Sequence, residues 1–404
     1  MSHDPHDDFP AQPEDDRDWT FPQPFNPTSR LHFDASFEPR REKYWLHALL
    51  FVASIFTTML AGVSLASPHV DVFDPANWVL GLSYSLLTMT IITAHEFGHY
   101  FAARRHGIDA TLPYFIPFPI VPFFGATTAV FNPFGTMGAV IRTRTPFLNR
   151  RALFDVGVAG PLAGFVMCFI ILAVGFLTLP PKEFIYQIHP EYLSELGGAI
   201  PTWDLHFGRI GLYALFEAIF PFGDSWVPPM NEMYHYPLLC AGWFGLLLTG
   251  LNMLPLGQLD GGHVAYAMFG AKIQSLLARV VWWLLLCFGA LGMLDNLMTE
   301  GLLPADGLEP LAALLASGRD WFPWLFPVFP GWIFWALLTR FVIKLDHPFV
   351  PEHRPVDRRR RIIGWCAFAV FLLSFAPQGL YIVPEPQDAR QEMDSDAIYT
   401  ELAR

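Results

Sequence analysis

Residues 86–100 read LLTMTIITAHEFGHY, and the last seven of them, Ala94 to Tyr100, place two imidazoles and a carboxylate at the end of a run that suits hydrocarbon. Ionisable groups at membrane depth are costly and normally mark function. This stretch therefore says that the helix around it belongs in lipid and that its polar face has a chemical task.

Composition supports the first half of that reading. The chain has 404 residues, 53% hydrophobic, 16% aromatic and only 15% charged, against roughly 25% charged in an ordinary soluble domain. Runs near 44–66, 78–103, 152–179, 237–256, 276–297, 323–345 and 361–380 approach or exceed the ~20 apolar residues that cross a hydrocarbon core. The expected fold class is an all-α polytopic membrane protein with about six to seven transmembrane helices, the proline-rich FPWLFPVFPGW segment making the count soft. The net charge of −12 is spread over the tails and acidic loops, so it says little about a charged partner, and nothing points to nucleic acid.

Residues 1–28 are acidic, proline-rich and poor in aliphatics, the composition of a disordered tail rather than a signal peptide. Residues 381–404 read as a polar C-terminal tail, leaving 29–380 as the membrane domain. Cys168, Cys240, Cys287 and Cys366 each fall in an apolar run without CxxC spacing. They read as small buried hydrophobes, and no disulfide partner is expected.

Cations in the short loops set an orientation. Arg40, Arg41 and Lys43 precede the first run, Arg104, Arg105, Arg142, Arg144, Arg150 and Arg151 lie between the second and third, and Arg358 to Arg361 precede the last. The loop at about 180–236 is instead acid-rich, with Glu183, Glu191, Glu195, Asp204 and Asp224. The N-terminus and the HEFGH end of its helix are thereby expected on the cytosolic face, with the C-terminal tail outside, as in a bacterial inner membrane or its equivalent. The segment at 111–140 is apolar but carries Pro113, Pro117, Pro119, Pro122 and Pro133. It makes a poor straight helix and reads as a re-entrant or interfacial hairpin between the second and third spans.

HEFGH sets His95 and His99 on one helical face, with Glu96 about 100° round from His95. This spacing suits one Zn²⁺ per chain on two imidazoles, with Glu96 as the general base. Such a site needs a third protein ligand. The second polar cluster, LNMLPLGQLDGGH at 251–263, supplies a candidate in Asp260, at the same expected depth. Pro255 breaks the helix and Gly261-Gly262 allow a sharp turn that can aim Asp260 inward; the competing role is a cap on the helix that follows. His263 is a second candidate, ranked below Asp260 because the helix after it can carry it elsewhere. Asn252, polar within an apolar run, must find hydrogen-bond partners, in another helix or in a substrate backbone.

With HEFGH, LNMLPLGQLDGG and the glycine-rich DVGVAGPLAG between them (155–164), the chain resembles the site-2 protease family of intramembrane zinc metalloproteases over most of 44–380. The resemblance implies that His95, His99 and Asp260 ligate zinc, that Glu96 activates water and that Asn252 helps hold the scissile peptide. It also implies a substrate that is itself a transmembrane segment of a membrane protein, cut in or near the bilayer. The hairpin at 111–140 is then a candidate for strand addition to unwound substrate. The loop at 180–236 departs from the family, being too short for an inserted peptide-binding PDZ domain, and its apolar patch at 206–220 reads as an interfacial lid or as simple packing. A zinc-dependent transporter or channel is the main alternative; it predicts a polar trail along the spans that the sequence lacks. A non-catalytic membrane-protein-binding homologue is the other, and it would normally have lost the glutamate.

Overall fold

The computed structural model describes residues 42–383, apart from 68, 119–121, 124–125, 128–131, 221–225, 300–302, 304–306, 323–324 and 353. The tail expected at 1–28 lies outside the described residues, as does the C-terminal tail from 384 onward. From Lys43 on, the chain forms one unit.

Helices dominate it. α1 (Tyr44–Ala66), α2 (Trp78–Arg105) and α3 (Arg150–Leu177) are long apolar rods. Between α2 and α3 lie four short strands, β1 (Tyr114–Pro117), β2 (Pro122–Phe123), β3 (Ala126–Thr127) and β4 (Thr136–Val140). The loop after α3 carries α4 (Glu183–Ile188), α5 (Glu191–Ser194), β5 (Asp204–Phe207) and α6 (Gly211–Ile219). Then follow α7 (Pro237–Asn252), α8 (Asp260–Phe269), α9 (Ala271–Thr299), α10 (Glu309–Trp321), α11 (Trp332–Leu338), α12 (Arg358–Ser374) and β6 (Leu380–Val383).

Among the described residues, four helices are long and apolar enough to cross a membrane: α1, Pro75–Arg105, α3 and Ala271–Met298. The other three expected runs are shorter. α7 has 16 residues, about 24 Å at 1.5 Å per residue, and stops at Asn252 just ahead of Pro255. The run at 323–345 begins in proline-broken chain and is helical only over Trp332–Ile343. α12 has 17 residues and ends ahead of Pro377.

The structure is not purely helical. β1 pairs antiparallel with β4 through Tyr114↔Val140 and Phe115↔Ala139, with an irregularity before Pro117↔Thr136. β2 pairs with β3, and β5 with β6. Prolines remove the amide donors that a helix would need across 111–140, while Ile, Phe, Val and Thr favour an extended backbone. Residues 381–383, expected in the polar tail, instead close the β5–β6 pair.

Small residues let the helices approach closely, the usual device where lipid offers no hydrophobic drive. A Cβ on Gly81 of α2 would lie 1.9 Å from the Met59 carbonyl oxygen of α1, and one on Gly98 would lie 2.6 Å from the Ala159 carbonyl oxygen of α3. The largest buried cluster joins Tyr84 and Ile91 of α2, Leu172 and Phe176 of α3, Tyr213 and Phe216 of α6 and Trp243 of α7. The helical part of the 206–220 patch thus packs inward. All four cysteines are free; Cys168 and Cys240 are buried as expected, but Cys287 and Cys366 are exposed on apolar helices.

Candidate active site

α2 brings His95, Glu96 and His99 to the core side of its last three turns, with exposures of 4%, 5% and 6%. The nitrogens His95 Nε2 and His99 Nε2 are 3.1 Å apart. Asp260, far away in the sequence, reaches both: its Oδ2 lies 3.2 Å from His95 Nε2 and 3.3 Å from His99 Nε2. The two distant polar motifs therefore form one cluster.

Local sequence explains how Asp260 arrives. The chain leaves α7 at Asn252, turns through Met253–Leu259 and re-enters a helix at Asp260. A Cβ on Gly261 would lie 1.9 Å from the Met253 carbonyl oxygen, and one on Gly262 would lie 2.4 Å from that of Gly257. Only glycine fits so tight a return. Asp260 opens α8 rather than capping it, since the cap position is Leu259 and no side chain caps there.

The DVGVAGPLAG face of α3 is the floor of the site. Cβ atoms built on Gly157, Gly160 and Gly164 would lie 2.7 Å from His263 Cβ, 2.1 Å from His99 Nε2 and 3.1 Å from His95 Nδ1. The glycines thus make room for imidazoles as well as for a neighbouring helix. The Val156 carbonyl accepts from His99 Nδ1 at 2.7 Å, which fixes the tautomer and leaves the Nε2 lone pair facing Asp260. Arg360 of α12 donates Nε and Nη2 to Asp155 at 2.8 and 2.6 Å, and His106 Nε2 meets the same carboxylate at 2.8 Å. Three helix ends are tied together one residue before the carbonyl that orients His99.

The donor set fits a zinc ion. Bonds of about 2.0–2.1 Å in a tetrahedron put ligand atoms about 3.3 Å apart, and the three separations here are 3.1, 3.2 and 3.3 Å. Three protein donors leave a fourth position for water or substrate. Glu96 stays outside the trio, on the wall of a cavity of about 420 Å³ that also takes in Val140, Ile141, Phe147, Asn252 and Phe349. Asn252 Nδ2 stands 3.5 Å from His95 Nε2, at the edge of the cluster. His263 lines the cavity but turns to His347, Nδ1 to Nε2 at 2.7 Å. Burial, with His347 as a further cause, pushes His263 down to about 3.

Two features escaped the sequence reading. His347 is a lone histidine in a loop and carries no spacing signal. The β4 wall was placed only as part of a hairpin; Ala139, Val140 and Ile141 line the cavity, and among the described residues β4 pairs on one side only, with β1.

A buried His-His-carboxylate trio with a free glutamate beside an open cavity defines the class: an HExxH-type metallopeptidase centre carried by apolar helices. The family model of Peptidase family M50 matches residues 83–291, which include every residue of the trio, so the chain belongs to Peptidase family M50, the site-2 protease family. It is 34% identical over 244 residues to the probable zinc metalloprotease EGY2, chloroplastic, of Oryza sativa subsp. indica, covering 60% of this chain and 39% of that protein. Over 240 residues it is 29% identical to the protein of the same name from Arabidopsis thaliana, covering 57% and 37%. Against the probable zinc metalloprotease EGY1, chloroplastic, of Arabidopsis thaliana the figures are 30% over 211 residues, 52% and 32%. The chain thus spans about two-fifths or less of the length of these relatives. No solved structure matches it.

Proposed function

We propose that the chain is an intramembrane zinc metalloendopeptidase that hydrolyses a peptide bond in or near a transmembrane segment of a membrane-protein substrate. The observation that carries this reading is the convergence of His95, His99 and Asp260 on one point, with Glu96 free beside it. His95, His99 and Asp260 hold one zinc ion at this site. When bound, that ion supplies Lewis acidity toward water and the scissile carbonyl. Glu96 takes the proton of the attacking water and returns it to the leaving amide nitrogen. Val156 keeps His99 in the ligating tautomer, and the Asn252 amide donates to the substrate backbone.

A transmembrane helix cannot be cut while its carbonyls are paired within the helix, so the substrate must unwind. Its freed amides and carbonyls need partners in a dry setting. The edge of β4 along the cavity, unpaired among the described residues, offers them by strand addition. In this reading the 111–140 segment re-enters the membrane, and α7, α11 and α12 lie across it with the four long helices, giving six to seven crossings. The loop cations put the N-terminus and the active site toward the cytosolic face, as in a bacterial inner membrane or an equivalent bilayer. Membership of a peptidase family and the presence of Glu96 weigh against a transporter and against a non-catalytic binder.

Co-expression with single-span membrane proteins of the same organism, comparing wild type with Glu96→Gln, tests the proposal. Substrate fragments are expected with wild type alone. Equal cleavage by Glu96→Gln removes the general-base assignment, and no cleavage of any span by wild type removes the activity.

A further inference from the structure

The loop between α3 and α7 is built from pieces that do not stand alone. α4 has six residues and α5 has four, far below the ~12–15 at which an isolated helix becomes even marginal in water. Yet this loop buries three polar side chains against one another: His189 at 6%, Glu232 at 2% and His235 at 2% exposure. Something must offset the cost of desolvating them.

The hydrogen bonds say what is missing. His235 Nδ1 lies 2.9 Å from the Leu65 carbonyl oxygen at the end of α1, and a carbonyl can only accept, so Nδ1 carries the proton and Nε2 a lone pair. His189 Nδ1 lies 2.6 Å from Glu191 Oε1, which likewise accepts from Nδ1–H and leaves Nε2 bare. These two bare nitrogens face each other at 2.9 Å. Two lone pairs at that distance repel unless a proton or a metal ion joins them, and only a metal ion also takes in a third donor.

Glu232 completes the set. Its Oε1 accepts from the Tyr192 hydroxyl at 2.8 Å and from Asn231 Nδ2 at 3.1 Å. Its Oε2 is buried without a hydrogen-bond partner and stands 3.6 Å from His235 Nε2 and 3.9 Å from His189 Nε2. Three donor atoms thus surround one point, with separations of 2.9, 3.6 and 3.9 Å that bracket the ~3.3 Å of a zinc tetrahedron. Each histidine is oriented through its other nitrogen by a carbonyl or a carboxylate, as metal-binding histidines usually are.

We propose a second divalent transition-metal site, best suited to Zn²⁺, held by His189, Glu232 and His235, which staples the α3–α7 loop to the end of α1. It is separate from the HEFGH centre in sequence and in ligands. Burial, with no spare base beside it among the described residues, makes it structural rather than catalytic.

The test is metal content of the full-length chain, purified in detergent, loaded with zinc and desalted. Wild type is expected to retain about two zinc ions per chain, a His95→Ala/His99→Ala double variant about one, and Glu232→Gln, which keeps the side-chain shape, about one. Cobalt added to the double variant should give the visible bands of a low-coordinate nitrogen–oxygen site. Glu191→Gln, which alters only the orienting carboxylate, should weaken retention of this ion by about 10- to 100-fold. A wild-type count of one that falls to zero in the double variant overturns the proposal, as does full retention of two ions by Glu232→Gln.

Discussion

The chain holds two His-His-carboxylate clusters, and they differ in what surrounds them. At the α2–α8 cluster the trio opens onto a cavity of about 420 Å³, with Glu96 on its wall, outside the trio and accepting from the Ile141 backbone. At the α3–α7 loop cluster every second donor is spent on orientation: His189 on Glu191, His235 on Leu65, and Glu232 Oε1 on Tyr192 and Asn231. Three donors leave a fourth position in either cluster; at α2–α8 it meets a cavity and a carboxylate outside the trio, as catalysis needs, whereas the loop trio is buried, as suits a structural ion. In the proposed reading, access and one extra carboxylate assign the same ligand chemistry two tasks.

That contrast can be broken at several points. The largest effect belongs to Asp260→Ala, which should lose the α2–α8 ion and with it all detectable cleavage, while the loop ion stays; unchanged zinc would remove Asp260 as a ligand. Emptying the loop site through Glu232→Gln should do the reverse. Thermal stability falls by the linkage term of a bound ion, about 2–3 kcal/mol at a hundredfold excess over Kd, with kcat kept, and a collapse of kcat at full stability would make that site part of the chemistry.

Gly160→Ala comes next. A methyl 2.1 Å from His99 Nε2 forces the imidazole or α3 to shift, at about 1–3 kcal/mol for an overpacked site, so zinc affinity and unfolding midpoint should fall together; wild-type values for both would mean that α3 is not the floor of the site. The smallest effect is expected for Asn252→Ala. Loss of one substrate hydrogen bond, about 1 kcal/mol, raises KM roughly fivefold and leaves zinc content alone, whereas a loss of zinc would make Asn252 part of the metal shell.

Much of the site was legible in the sequence because its signals are local. HEFGH fixes a helical face by itself, and NMLPLGQLDGG announces a broken helix whose glycines must fold back. The glycines of DVGVAGPLAG announce close packing, though not that imidazoles are what packs there. The hairpin was legible as an interruption, since its prolines exclude a helix, but the one-sided pairing of β4 depends on β1 some twenty residues earlier and leaves no local mark.

The span count was the weaker reading. Apolar composition is blind to where prolines such as Pro255 and Pro377 stop a helix, so runs of similar hydropathy become helices of 7 to 29 residues. Least visible was the loop cluster. His189 and His235 stand 46 residues apart, with only the Glu232–His235 spacing as a hint.

The most direct test of the central claim is zinc content and cleavage measured on one preparation of Glu96→Gln reconstituted in lipid with a single-span substrate. Zinc equal to that of wild type, with cleavage reduced by about 10²- to 10⁴-fold, is the result expected if His95, His99 and Asp260 hold the metal and Glu96 moves the proton. Loss of zinc would make Glu96 a ligand, and undiminished cleavage would leave the reaction without its base; either result contradicts the account.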